Sequence, residues 1–524
     1  MQGIFGRDRI PFTLISLLAL VLAIPLFAVL TAPLHSSAPE WPHVSTTILP
    51  AHLWETLQLC AGVLCIALFI AVPSAWLVAA CDFPGRWIFN WALVLPLALP
   101  TYISAFTYAD LLGPTGRLSQ QLHELTGIRI DVMSLGGLSF VLAFVLFPYI
   151  YLPARAAFSK GMASQLEAAR TLGANGLLRF KRIALPLARP AIAGGSILLL
   201  METLNDYGAV KYFGIRTLTT GIFRSWGGLY DTGSALRLSM VLLGLVGLLL
   251  WLEVRSRKGI QQITDQVPAA RSRLEGLPAF LAFAWCTLIF VLGAALPIGK
   301  IVADVIGDRD LRSLEATLPA FRNTLYIASL AAISTLSIAI LFTFRKRYRR
   351  RSDLAIWIAR SGYAIPGAVI AIGVMAAAGW IDRQTPAGYA MIGTIGLLTY
   401  AFTARFLAVG TQPLFNDLRN QSIALDEASK LLGASPWRSF TRINLPLLRP
   451  ALLAAALLVT IDVIKELPLT LILRPFNVHT LSTQAYAYAS IEQLREASWP
   501  ALLIVLCGAL PVLLLERLLT YRKR

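Results

Sequence analysis

The chain has 524 residues, of which 56% are hydrophobic and 14% charged, whereas about 25% of residues are charged in a typical soluble domain. With a mean hydropathy of +0.67, this composition points to a polytopic membrane protein and away from a soluble enzyme. The formal net charge of +18 lacks the interleaved aromatic and basic residues of a strand-binding groove, so it argues for basic cytoplasmic loops rather than a nucleic-acid partner.

In chain order, the run PFTLISLLALVLAIPLFAVL follows Arg7 and Arg9. It exceeds the apolar core of a signal peptide and no small-x-small cleavage site follows, so it reads as an uncleaved first span. Stretches of about 20 apolar residues cross a bilayer as helices, because backbone groups in lipid must bond within their own segment. Twelve such spans are predicted, at 12–31, 53–80, 88–112, 135–154, 187–207, 235–253, 278–303, 323–344, 355–379, 387–409, 447–472 and 497–516. The five cysteines (Cys60, Cys65, Cys81, Cys286 and Cys507) lie in or beside these runs without metal-ligand spacing, which indicates neither a disulfide framework nor a zinc site. With the N-terminus inside, RSRKG (255–259), RKRYRRR (345–351) and the tail YRKR (521–524) are cytoplasmic. That side then carries most of the 46 Lys and Arg residues, counted span flank by span flank, with Lys465 assigned to a span interior. Both termini are therefore expected in the cytoplasm.

The spans fall into two parallel six-helix repeats, 1–253 and 278–524, joined by a polar cytoplasmic linker at 254–277. Asn323-Thr324-Leu325 echoes Glu55-Thr56-Leu57, and SGYAIPG (361–367) echoes LPLALPT (95–101). An even number of spans per repeat gives the copies the same topology, related by an axis along the membrane normal. The clearest echo is cytoplasmic: EAARTLGANGLLRFKRIALPLARP (167–190) and EASKLLGASPWRSFTRINLPLLRP (427–450). Each opens on a carboxylate suited to a helix N-terminus, Glu167 or Glu427. Each then reaches a glycine suited to a left-handed cap, Gly173 or Gly433, and ends in Leu-Pro and Arg-Pro just before a span. A rigid two-helix elbow is predicted on the cytoplasmic face, tied to the next span. One such elbow could simply lie on headgroups; two on one side suit a repeated docking surface for a two-fold partner.

These segments resemble the EAA coupling loops of binding-protein-dependent ABC importer permeases. The resemblance implies the type I permease fold, with about 12 transmembrane helices in an all-α polytopic membrane protein. By matching position, Glu167, Ala168, Ala169 and Gly173 would couple to one ABC ATPase subunit, and Glu427, Ala428 and Gly433 to a second copy. Ser429 stands where the motif usually has Ala. ATP and Mg would be used by those partners, with no cofactor bound by this chain, and the setting implied is the bacterial inner membrane.

Beyond each elbow a span ends in METLNDYGAVKYFGIRTLTTGIFRSW (201–226) or IDVIKELPLTLILRPFNVHTLSTQAY (461–486). Glu202 aligns with Asp462 and Asp206 with Glu466; the acids of each pair are four residues apart and so share a helix face. At about 1.5 Å per residue from Leu187, Asp206 is expected roughly 30 Å along, near the outer surface. Acids within spans are costly and face a cavity or a partner; Lys465, Lys211 or an arginine could pair them. Otherwise they line a cation path, transiently rather than as a stable metal site. The same segments resemble the fused permease of ferric-iron importers, which implies Fe(III) as cargo and a periplasmic or surface-tethered iron-binding protein as partner. The segments 208–234 and 473–496 are the expected docking surface and outer gate. Thiamine, polyamine or phosphonate import would use the same architecture, and an ion-coupled secondary transporter would also use intramembrane acids. No Gly-x-x-x-x-Gly-Lys-Ser/Thr loop, His-Glu-x-x-His or Gly-x-Ser-x-Gly occurs, so no catalytic residue is assigned.

Overall fold

A computed structural model describes residues 9–35, 37–114, 116–127, 131–160, 163–256, 271–308, 312–348, 354–385 and 391–521. Each predicted span falls on helix. Among the described residues, six helices are long and apolar enough to cross a membrane unbroken, and ten spans qualify when each sharply bent pair counts as one. Ile395–Asn420 and Ser498–Tyr521 carry the remaining two. Large apolar side chains such as Trp54, Phe69, Phe280, Ile333 and Leu453 point outward, as a lipid-facing surface requires.

The third and ninth spans are not simple crossings. Arg86–Ala98 meets Thr101–Leu112 at 94°, and Leu354–Ala364 meets Gly367–Gln384 at 119°. The echoed motifs cause both breaks. Leu95–Ala98 and Gly362–Ala364 tighten into 3-10 turns, and Pro100 and Pro366 then sit extended before the next helix. Proline has no N–H for the ladder and drives the residue before it out of the helical region; Leu99 is accordingly extended, at φ −89° and ψ 124°.

The first helix of each predicted repeat leans on the other repeat. From Arg9–His35, Val21 accepts a 2.6 Å bond from Tyr400 Oη and Ser16 accepts a 2.7 Å bond from Arg345 Nη1. Gly373 lets Pro25 and Val29 approach closely, where a methyl would strike the Pro25 carbonyl. In the same way, Trp285 Nε1 donates to Ser74 Oγ at 3.1 Å and Tyr108 Oη to the Leu292 carbonyl. One large apolar core runs through both repeats. A smaller one gathers Ile15, Ala19 and Leu22 around Phe342, Phe344, Leu414 and Phe440.

Within the linker, 257–270 lie outside the described residues, as do 349–351 of RKRYRRR and 522–524 of the tail. Ser272–Arg273, at the linker's end, pairs in parallel with Cys81–Asp82. Arg405, placed by the span limits near a cytoplasmic flank, instead lies within the helix Ile395–Asn420 and is buried. That helix starts and ends several residues later than the predicted span, carrying Arg405 into the protein.

Candidate functional site

Both elbows form by the same local chemistry. Ala163–Thr171 and Ala424–Leu431 are short helices. Gly173 and Gly433 then each adopt φ +78°, a left-handed conformation costly for other residues. Ala174 N–H reaches back to the Ala169 carbonyl at 2.9 Å, and Ala434 N–H to Ser429 at 3.0 Å, the 6→1 bond of a Schellman cap. Asn175 and Ser435 cap the next turn by accepting from Leu178 and Arg438 N–H. Glu167, Ala168, Glu427 and Ala428 are exposed, whereas Ala169 and Ser429 are buried. Ser429 uses its hydroxyl internally, 2.7 Å from Ser439 Oγ. Beside the glycines, Leu172 and Leu432 are 85% and 88% exposed, an apolar pair left uncovered by the described residues.

Each elbow runs directly into a lever. The first, Gly176–Asn205, is one 30-residue helix. The second, Pro436–Leu447 plus Arg449–Lys465, bends by 73°. Both pass through a wide turn, Phe180–Ala184 and Phe440–Asn444, and both stop at an acid: Asp206 and Glu466 are extended at their helix C-termini, with ψ 127° and 119°.

The two levers end in one cavity of about 120 Å³, lined by all four predicted acids. Their arrangement differs from the expected helix face, because Asp206 and Glu466 lie just past the last helical residue. Both are buried, and each caps a following short helix. Asp206 Oδ1 accepts from Ala209 and Val210 N–H at 3.0 and 3.4 Å, and Glu466 Oε1 from Leu469 N–H at 3.2 Å. Beyond these caps the chain continues into the short helices Gly208–Tyr212 and Pro468–Leu473.

The residues between the acids lock the two repeats together. Asn205 Oδ1 accepts from Gly367 N–H at 2.8 Å, and its aligned partner Lys465 donates through Nζ to the Leu97 carbonyl at 2.5 Å. Each lever thus ends on the broken turn of the opposite repeat. Glu202 accepts from Tyr363 Oη at 2.7 Å, and Glu466 lies 3.4 Å from Arg405 Nη2. Gly367 is required at this crossing, since a methyl would collide with both Glu466 and Arg405. Lys211 does not join the acids; it lines a separate outer pocket with Arg216 and Arg224. Arg405, Tyr102, Tyr149 and Tyr363 also line the central cavity and were missed in the sequence, although a charged residue inside an apolar run is a signal for Arg405. Among the described residues no three His, Cys, Asp or Glu side chains are grouped to hold a metal ion.

Comparison with known proteins adds the following. The family described as "Binding-protein-dependent transport system inner membrane component" matches residues 335–524. The chain is 28% identical over 482 residues to the Fe(3+)-transport system permease protein FbpB 2 of Haemophilus influenzae, covering 89% of each. It is 25% identical over 472 residues to a probable ABC transporter permease, y4fN, of Sinorhizobium fredii, covering 82% of this chain and 80% of that one. Over 165 residues it is 32% identical to the molybdenum transport system permease protein ModB of Escherichia coli, covering 30% of this chain and 71% of ModB.

Proposed function

The chain belongs to the family of binding-protein-dependent transport inner-membrane components, and from that premise we propose that it is the fused permease of an ATP-driven ferric-iron importer. It is an ABC-importer permease, a transport subunit rather than an enzyme. The family implies a cargo-binding protein and an ATPase as partners; two ATPase copies, one per elbow, are part of the proposal. The observation that carries it is the convergence of Glu202, Asp206, Asp462 and Glu466 at the ends of both levers.

In the proposed mechanism, Glu167, Ala168, Ala169 and Gly173 present one elbow to one ATPase, and Glu427, Ala428 and Gly433 present the other. Exposed Leu172 and Leu432 supply apolar area for those contacts. Closure of the ATPase pair moves the elbows, and each lever carries the displacement to the cavity; the first is about 45 Å long at 1.5 Å per residue. Because Asn205 and Lys465 each grip the opposite repeat's broken turn, the levers cannot shift without re-forming the cavity wall. The cavity then alternates between an outward state, open to a binding protein docked on 208–234 and 473–496, and an inward one. The nucleotide acts through its different affinity for the two states.

Ferric iron is favoured as cargo by the relative of matching length and by chemistry: carboxylate oxygens suit a hard trivalent cation and repel an anion such as molybdate. A cationic organic cargo, thiamine or a polyamine, is the alternative that the same acids allow. The reconstituted complex is expected to accumulate labelled Fe(III) in an ATP-dependent way and to leave thiamine and polyamines outside. Uptake of either organic cation in place of iron would overturn the cargo assignment.

A further inference from the structure

We propose that Fe(III), in transit, is held by one side of the cavity only: Glu202 and Asp206 from the first lever, with the phenol oxygens of Tyr102 and Tyr363. The inference rests on the ferric-import reading above and narrows its four acids to two.

The second-lever acids carry their own cations. Arg405 pairs with Glu466, and Lys465, tethered to Leu97, acts first on Asp462 and only second on Glu202. Asp206 has no ion-pair partner among the described residues; its Oδ1 is engaged by two backbone N–H groups and its Oδ2 is buried without a hydrogen bond. A cation entering the cavity therefore finds the less compensated negative charge on the first-lever side.

Tyr102 supplies the independent observation. It is 4% exposed, lines the cavity, and among the described residues its Oη has no hydrogen-bond partner. Buried phenols are almost always bonded, and the charged groups acting on this one are Glu466 and Asp206. In the same cavity Tyr363 Oη donates to Glu202 Oε1 at 2.7 Å, and Tyr149 lies against the same pair. Two carboxylates and two phenols form an all-oxygen donor set of the kind a hard trivalent ion selects. On binding, each phenol releases its proton to cavity water and the oxygen bonds the metal; iron stays ferric and no electron moves. With only two carboxylates, the site favours passage over storage.

The test adds Fe(III)–nitrilotriacetate to the purified permease–ATPase complex and follows visible absorbance, alongside uptake of labelled Fe(III). Phenolate bound to ferric iron gives a visible charge-transfer band. The wild-type complex should show it, Tyr102→Phe and Tyr363→Phe should each weaken it, and the double variant should abolish it and slow uptake at least tenfold. Phenylalanine keeps the ring packing, and Tyr326→Phe, on an outward-facing residue, should change neither readout. If wild type imports iron but shows no band, or if the double variant keeps the band or the uptake rate, the assignment is wrong while the ferric reading stands. If wild type imports no Fe(III), both fall.

Discussion

The two elbow-and-lever units begin from nearly the same sequence and end differently. Gly176–Asn205 is one helix, whereas the second unit breaks by 73° before Arg449. Prolines do not explain this, since Leu-Pro and Arg-Pro occupy matching positions in both. The difference lies in what each unit touches. Asn444, aligned with Ala184, is fully buried and bonds Gln421 through Nδ2 at 3.1 Å, while Tyr348 Oη donates to its Oδ1 at 3.3 Å. Arg347 and Tyr348 also clamp the second elbow through Asp426, at 2.5 and 3.0 Å; the aligned first-elbow residue is Leu166. The first unit rests instead, among the described residues, on aromatic packing of Phe180 against Trp76 and Phe158, with a polar tie from Arg179 to Ser272. At the far end the contrast continues: both cavity cations, Arg405 and Lys465, serve the second lever's acids most closely. The second unit is pinned by charge, and the first much less so.

The comparison is broken most severely at the cavity. Arg405→Leu leaves Glu466 buried without its partner, with an expected loss of about 3–5 kcal/mol, seen as a lower thermal unfolding midpoint in detergent. Adding Glu466→Leu should recover much of it; no recovery would mean that the pair does not act as a unit. Next in size, Asp426→Ala should cost about 2 kcal/mol, the range for hydrogen bonds to charged groups. Amide exchange should then speed up across 424–447 and stay unchanged across 163–190. Equal acceleration in both elbows would erase the distinction drawn here.

Where the units are alike, matching substitutions should act alike. Gly173→Ala and Gly433→Ala meet the same φ of +78° and open space around a new methyl. Each should cost about 1 kcal/mol in elbow geometry, or about fivefold in ATPase affinity. Smallest of all, Ser429→Ala removes the bond to Ser439 and gives the second elbow the alanine of the first. Its expected cost is about 0.5 kcal/mol, measured in the same binding assay.

The elbows were legible because their signals are local: a capping glycine, an N-cap residue and paired prolines dictate a turn wherever the chain sits. The meeting of Glu202, Asp206, Asp462 and Glu466 was legible through the duplication, which places aligned residues about a common axis. Their capping role was not, because it depends on the turn after each helix, where Asp206 and Glu466 bond the N–H groups of Ala209 and Leu469. The prolines at 100 and 366 were visible as an echo, but the docking of the opposite lever on each break was not. Arg405, Tyr102 and Tyr363 gain their roles only from partners far along the chain, and no periodicity carries that information. The exchange of first helices between repeats was hidden for the same reason.

The account is tested most directly by ATP-driven Fe(III) uptake in membranes carrying the double reversal Glu167→Lys and Glu427→Lys. Both side chains are exposed on the elbows, so the variant should insert and keep its cavity while uptake falls more than tenfold. Uptake at the wild-type rate, with ATPase still bound, would contradict the claim that the elbows transmit the motion.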